Sequence, residues 1–450
     1  MDFMDLVAAL NALPPDAREA SINNVFVQSA LLPQLGFSTT EIIPEYVVDE
    51  QINRRTDFAL RKDRDGDIFI RTEKDPFVLV EVESRSKQMV PGTADYKKVV
   101  RQLKEQLLGS RCHSVQWGII TNANHIQLFR KHGKVIFPAT EVLELTPNNV
   151  NSIIRGLRER IHNPIRALTV AIYNNKGGVG KTTTTINLGA VLALKGKRVL
   201  LIDFDYNQQN LTQRLGVESC KGLVFESLTS SQRNHLSSAV VRRDYEVRVK
   251  PASLVKVSFD VIPADASMWE LEHLQEPAYR LRDQLRFAYT HYDYILIDTP
   301  PGWRLINKLV FWAADVVLMP VQPSSCDSIR GAAVAIGRFI PEVRRQKKNG
   351  LLGEEMSLLE PTPEPLPIFF NNVRNGEKAE LKRALQFIND LITENRSLAP
   401  FLLPEGKLPH CLPGFAYIAS ADFGEKPAAF CHQYAFNYYL GLARRYFCHD

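Results

Sequence analysis

The residues with the clearest chemistry lie near the middle of the chain, in Asn174-Asn175-Lys176-Gly177-Gly178-Val179-Gly180-Lys181-Thr182-Thr183. An apolar, strand-like run precedes them and a helix-forming run follows, the context a phosphate-binding loop requires. Gly177, Gly178 and Gly180 let successive backbone N–H groups, Val179 and Thr183 among them, curl around phosphate oxygens. The helix starting near Lys181 adds the positive end of its dipole. Lys181 can neutralise the β and γ phosphates, and the Thr182 hydroxyl can ligate Mg²⁺. Carboxylates follow at two strand ends. Asp203 and Asp205 stand two apart, with Asn210 five residues on, and Asp298 closes Tyr294-Ile-Leu-Ile-Asp298. Acids at i and i+2 project to one side of a strand. A second group sits far upstream, with Asp57 on one strand and Glu81 and Glu83 on the next. Carboxylates such as Asp57 and Glu81 on adjacent strands can hold a divalent cation, Mg²⁺ or Mn²⁺.

The elements that must position these residues follow from pattern and punctuation. In the upstream part, Ser21–Leu35 predicts a helix. Strands are expected at Thr56–Leu60, Asp67–Arg71, Phe77–Glu83, Val115–Thr121, His125–Arg130 and Val135–Phe137. The helix Asp95–Leu108, bearing Gln102 and Gln106, separates the third strand from the fourth. Asn149–Ile161 reads as a linking helix, and Asn163-Pro164 marks a boundary between residues 1–162 and 163–450. Beyond it, strand and helix alternate: Ala167–Tyr173, the helix Lys181–Lys195, Arg198–Asp203, Tyr292–Asp298, Asp315–Val321 and Pro367–Asn371. That alternation predicts an α/β fold with a mostly parallel sheet flanked by helices. Gly350–Pro367 reads as an exposed loop and Ala428–Tyr446 as a C-terminal helix.

The loop has Asn175 where the usual GxxxxGK[ST] has glycine, and an extra lysine, Lys176. This KGGxGKTT form resembles the deviant phosphate loop of the ParA/MinD ATPases. Asp203-Phe-Asp205 with Asn210, the strand ending in Asp298-Thr299-Pro300-Pro301-Gly302, and Ala313–Pro323 resemble further motifs of that family, over about residues 166–446. The resemblance implies a P-loop fold that binds Mg-ATP, hydrolyses it slowly and forms an ATP-dependent homodimer. It implies that Lys176 reaches the partner's nucleotide, that Asp205 positions the attacking water, and that Asp203 lies near the magnesium shell. Asp298 would hold magnesium through water, and Asn371 would read adenine, with Asn372 the adjacent alternative. Tyr206-Asn207 follows the second acid where partition members have Pro-Gln, which is closer to the MinD pattern.

Residues 20–140 resemble the N-terminal nuclease region of type I restriction enzyme R subunits, in the PD-(D/E)xK superfamily. The resemblance implies a smaller restriction-endonuclease-like α/β domain with Asp57, Glu81 and Glu83 at its metal site. Glu83 stands where that superfamily expects lysine, and Arg85 or Lys87 is the candidate for the missing positive charge. Three readings stay open. One is an ATP switch that controls an N-terminal nuclease, suited to defence against foreign DNA. Another is a partition or positioning ATPase whose N-terminal domain only binds nucleic acid or a partner. The last is a scaffold that binds ATP with little turnover.

Composition sets the remaining bounds. The chain has 450 residues, which favours two domains. Its net charge of +5 permits a DNA partner without demanding one. Arg344-Arg345-Gln346-Lys347-Lys348 and the helical set Lys378, Lys382 and Arg383 are the basic clusters a DNA contact would use. Six cysteines without a CxxC pair, and histidines without metal-ligand spacing, give no zinc signature. The acidic N-terminus and the absence of a long apolar run make a cytoplasmic location, with no membrane contact, the expectation. An activating or adaptor protein is the remaining expected partner.

Overall fold

The computed structural model describes residues 4–230, 235–250, 253–274, 277–349, 362–373, 378–414 and 424–448. Two compact units divide the chain. One spans Met1–Pro164, and the other is built from Ile165–Gln346 and Thr362–Cys448.

In the N-terminal unit a mixed sheet runs β1 (Ile42–Asp49), β2 (Arg54–Leu60), β3 (Val78–Val82), β4 (Trp117–Thr121), β5 (His125–His132) and β6 (Val135–Pro138), with β7 (Leu143–Glu144) on β5. Pairing is antiparallel except between β3 and β4. That parallel pair needs a crossover, and the helix α1 (Ala94–Leu107) supplies it. The Thr93 hydroxyl caps α1 by accepting from the Tyr96 N–H at 3.3 Å. Val99, Leu103 and Leu107 fall four residues apart, so they bury one face against the sheet and leave Lys97, Lys98 and Arg101 in water. Each buried leucine contributes about 1.5–3 kcal/mol. On β4 a Cβ at Gly118 would lie 3.0 Å from Leu103 and Leu107, so the glycine admits the helix this closely. The opposite face is covered by Leu6–Ala12, by the helical stretch running from Glu19–Ile22 through the π-helical Asn23–Leu31 into Leu32–Gln34, and by α2 (Val150–His162).

Three expectations need correction here. Asp67–Arg71 is not a strand. Its alternation reads as one, but Asp63 accepts the Phe69 N–H at 2.7 Å and Asp67 accepts from Thr72 and from Arg61, winding the segment into the one-turn helix Phe69–Thr72. Strand β1 was not expected, because Pro44 and Glu45 interrupt its apolar pattern. Arg85 lies beyond the end of β3, and its guanidinium donates to the carbonyls of Leu10, Leu13 and Pro14. It therefore supplies no charge to the carboxylates.

In the C-terminal unit the sheet order is β10 (Val241–Lys250), β11 (Ser253–Ile262), β9 (Val199–Asp203), β12 (Tyr294–Asp298), β8 (Leu168–Ile172), β13 (Val316–Leu318) and β15 (Glu364–Pro365). All pairs are parallel except the β10–β11 hairpin at one edge. Its polar, alternating strands gave no buried-strand signal in the sequence. The expected loop Gly350–Pro367 lies outside the described residues up to 361, and its end forms β15 rather than continuing as loop. A small parallel sheet, β14 (Pro320–Val321), β16 (Phe369–Val373) and β17 (His410–Pro413), continues the architecture. Helix α3 (Lys181–Leu194) follows the loop after β8. A Cβ at Gly189 would meet Leu201 of β9 at 2.6 Å, so this helix lies tightly on the sheet. Further on come α4 (Lys378–Glu394) and α5 (Gln433–Tyr446). The expected C-terminal helix is broken at His432, whose backbone is extended, and α5 packs on α3. Among the described residues no helix is long and apolar enough to cross a membrane.

Candidate functional site

The carboxyl ends of β8, β9 and β12 lie side by side, with Ile172, Asp203 and Asp298 in register. A parallel sheet gathers its ligand-binding loops at this end. Three amide side chains fix the loop between β8 and α3. Asn174 donates to the carbonyls of Pro320 and Ser328 at 2.9 Å and accepts the Lys176 N–H. Gln322 donates to the Gly178 carbonyl at 2.9 Å, and Asn371 to that of Val179 at 2.8 Å. Gly178 and Gly180 have φ of +75° and +93°, where side chains are strained, and a Cβ at Gly180 would come within 2.1 Å of the Asn371 amide.

The two lysines are placed oppositely. Lys181 is buried, and its ammonium donates to the carbonyls of Asn174 and Lys176 at 3.2 Å. Burial lowers its pKa, while Asp298 and Asp205 act in the other direction. Lys176 is exposed, as are Asn175, Gly177 and Gly178. The Thr182 hydroxyl donates to Asp298 Oδ2 at 2.6 Å. Asp298 Oδ1 is buried with no hydrogen-bond partner. Burial, and then the neighbouring Asp203, push the Asp298 carboxyl well above the ordinary range. A buried, unsatisfied carboxylate oxygen beside a threonine hydroxyl fits a hard cation, which takes oxygen ligands.

The other expected residues sit around this centre in different ways. Asp203 Oδ2 accepts from the Thr212 N–H and hydroxyl at 2.9 and 2.7 Å, and Oδ1 accepts the Asp205 N–H. It therefore braces the loop that carries Asp205, itself buried and accepting the Gln208 N–H. Asn210 opens the short helix Asn210–Arg214, from which Arg214 donates to the Thr183 hydroxyl at 2.9 Å. Asn371 is tied to the phosphate loop through Val179, while Asn372 sits at φ +58°. Tyr173 donates to the Gly302 carbonyl at 2.7 Å, joining the loop to the turn after Asp298. Sequence reasoning missed the clamps from Asn174 and Gln322, which nothing local to the motif signals.

Within the N-terminal unit, β2 and β3 bring Asp57, Glu81 and Glu83 to one cleft of about 380 Å³, also lined by Glu19, Lys87 and Gln102. Asp57 accepts the Val82 N–H at 2.6 Å. Glu81 is buried and accepts from the Gln102 and Gln106 amides of α1, the latter at 2.7 Å. Burial pushes Asp57 up to about 7, and burial with repulsion from Asp57 pushes Glu81 up to about 8. Burial also raises Glu83, against the opposing charges of Lys87 and Lys98. Glu19, at the start of its helix, was missed. Among the described residues no three His, Cys, Asp or Glu side chains are grouped as a metal-binding set. The donor chemistry, two carboxylates held near each other against their repulsion, fits a divalent cation at a pair rather than a triad.

Of the basic clusters, Arg344 is committed to Glu364 and to the Pro363 carbonyl, leaving Arg345, Lys378, Lys382 and Arg383 exposed. The side chain of Lys348 lies outside the described residues.

Comparison with known proteins bears on the C-terminal unit. A family model described as an AAA domain matches residues 167–352. The chromosome partitioning protein ParA of Caulobacter vibrioides is 39% identical over 166 residues, covering 36% of this chain and 57% of that protein. The sporulation initiation inhibitor protein Soj of Bacillus subtilis is 37% identical over 164 residues, covering 34% and 57%. The chain thus spans little more than half the length of these relatives. A solved structure, a complex of Cyanothece McdA with ATP, aligns with 62% of this chain and 96% of its own at 20% identity and a TM-score of 0.47. A ParA family protein of Chlamydia pneumoniae is 33% identical over 197 residues, 42% of this chain and 71% of that protein. With its phosphate loop, its extra lysine and its acidic strand ends in register, the chain belongs to the ParA family.

Proposed function

We propose that the chain is a Mg-ATP-dependent ATPase switch, homodimeric when ATP is bound, that controls a DNA-acting, nuclease-like N-terminal domain. The observation that carries the switch is the opposite placement of two lysines on one loop, Lys181 buried and Lys176 in solvent. The first faces the nucleotide of its own subunit. The second is free to reach the nucleotide of a second copy. Gly177, Gly178, Val179, Gly180 and Thr183 supply backbone donors to the phosphates, and Asn210 and Asn371 border the nucleoside. Asp205 orients the attacking water, and Asp203 holds Asp205 in place. The Thr182 hydroxyl and Asp298 would hold magnesium, which would supply positive charge to the phosphate oxygens. Lys181 exchanges its two loop carbonyls for phosphate oxygens, so the site is largely preorganised. The expected partners are a second copy, DNA and an activating or adaptor protein.

In the N-terminal domain, Asp57 and Glu81 would hold a second Mg²⁺ or Mn²⁺, with Glu83 beside them and Lys87 as the nearby cation. A second reading is favoured by particular observations. Glutamate replaces the expected lysine, Arg85 is engaged elsewhere, and no three His, Cys, Asp or Glu side chains are grouped to hold a metal among the described residues. On that reading the domain is an inactive binding module on a partition or positioning ATPase, the kind of process for which the relatives are named.

Plasmid and linear DNA, incubated with Mg²⁺ or Mn²⁺ with and without ATP, separate the two. The expected result is ATP-dependent cutting that is lost in both Glu81→Ala and Lys181→Ala. No cutting under any condition, with ATP hydrolysis intact, selects the binding module.

A further inference from the structure

Beside the carboxylate cleft lies another of about 400 Å³ with the opposite charge. Arg54, Arg55, Lys98 and Arg101 line it against a single carboxylate, Glu105, which Arg54 pairs at 2.9 Å. The two clefts share Arg55, Lys98 and Gln102, so they adjoin. Gln102 donates to Glu81 at the acidic end, and Lys98 lies close enough to Glu83 to act on its charge. Lys98 and Arg101 stand three residues apart, on one face of α1, and both are exposed. Neither makes an ion pair among the described residues. Two exposed cations thus stand next to Arg55 at the mouth of an acidic cleft.

We propose that this basic cleft binds the backbone phosphates of a polynucleotide, one or two phosphates along the strand from the position at Asp57 and Glu81. The inference rests on the reading of the N-terminal unit as DNA-acting and names the surface that would hold the substrate. When ionised, Glu19, Glu45, Asp57, Glu81 and Glu83 repel any phosphodiester. A row of cations on the adjoining wall offsets that repulsion and fixes which stretch of backbone lies over the carboxylates. Contacts of this kind position the chain without reading sequence. A polynucleotide fits better than a free nucleotide because four cations line the basic cleft and neither lining has an aromatic side chain to stack a base.

The test is fluorescence anisotropy of a labelled DNA duplex with the full chain in EDTA. A Lys181→Ala background keeps the ATPase unit in one state. The Lys98→Ala/Arg101→Ala variant is expected to bind at least 10-fold more weakly. The slope of log affinity against log salt should fall by about 1 for each phosphate contact removed. Lys382→Ala/Arg383→Ala, in the other unit, serves as the comparison and should leave that difference intact. Unchanged thermal unfolding in Lys98→Ala/Arg101→Ala would show that the loss comes from binding. Equal affinity and equal salt slope in that variant would overturn the proposal, as would competition by an acidic peptide but not by unlabelled duplex. The nuclease reading fails separately: wild-type protein that binds duplex through these cations and never cuts it leaves this surface standing.

Discussion

Lys181→Ala should lower ATP turnover by about 10²–10³-fold, the cost typical of removing one preorganised charge from a reacting oxygen. The side chain is buried, its ammonium rests on the carbonyls of Asn174 and Lys176, and among the described residues no other lysine donates into the loop. Asp203, Asp205 and Asp298 crowd the same space, so without Lys181 a triphosphate meets three acids and only backbone donors. Arginine should not rescue the site. The two carbonyls hold a compact ammonium between them, and a planar guanidinium is larger than that cradle. Phosphate release at saturating ATP, with a nucleotide titration alongside, separates lost turnover from lost binding. Turnover within about threefold of wild type would remove the loop from the chemistry altogether.

Glu81→Gln should act in opposite directions on the two properties of the N-terminal domain. It should cut metal-dependent DNA cleavage by at least about 10–100-fold, the cost typical of losing even a group that only supports a metal's ligands. It should also stabilise the metal-free domain above neutral pH. Asp57 is raised to about 7 and Glu81 to about 8, so the folded state holds their protons at pH values where the unfolded chain has released them. Stability from this source is present below pH ~4, the ordinary carboxylate range, and is lost as pH rises toward 8. A neutral amide at position 81 removes one of the two charges. It can also donate to Gln106 Oε1, which is buried without a partner. Unfolding scans should therefore show the variant more stable at pH 8, by on the order of 2–4 °C for each kcal/mol recovered, and unchanged at pH 4. Mn²⁺ should raise the wild-type Tm at pH 8 and the variant's much less. A wild-type domain indifferent to both pH and Mn²⁺ would leave the carboxylate pair without a metal.

The two units differ in how far the sequence disclosed them. The phosphate loop was legible because its geometry is local: three glycines, two lysines and two threonines within ten residues dictate a turn that only an anion fills. Asp203 and Asp298 were legible as strand-end acids, and their alignment follows from parallel pairing. The clamps on the loop were not. Asn174, Gln322 and Asn371 converge from three separate strand ends, and amide side chains carry no periodic signal. In the N-terminal unit, Glu81 stood out between apolar neighbours. Glu19 did not, because an acid in a first helical turn is more simply explained by the helix dipole. The segment Asp67–Arg71 misled because alternation lost to the capping by Asp63 and Asp67. The β10–β11 hairpin stayed hidden because strands at a sheet edge need no unbroken apolar run.

The switch itself is tested most directly by the mass of the full chain in solution, measured by light scattering after size exclusion. The predicted result is a dimer with Mg-ATP, a monomer with ADP, and a monomer with Mg-ATP for Lys176→Ala, which should still bind the nucleotide because Lys181 and the loop amides are untouched. ATP-dependent dimers that persist in Lys176→Ala would contradict the assignment of that lysine to a second subunit's nucleotide, and with it the dimerising switch.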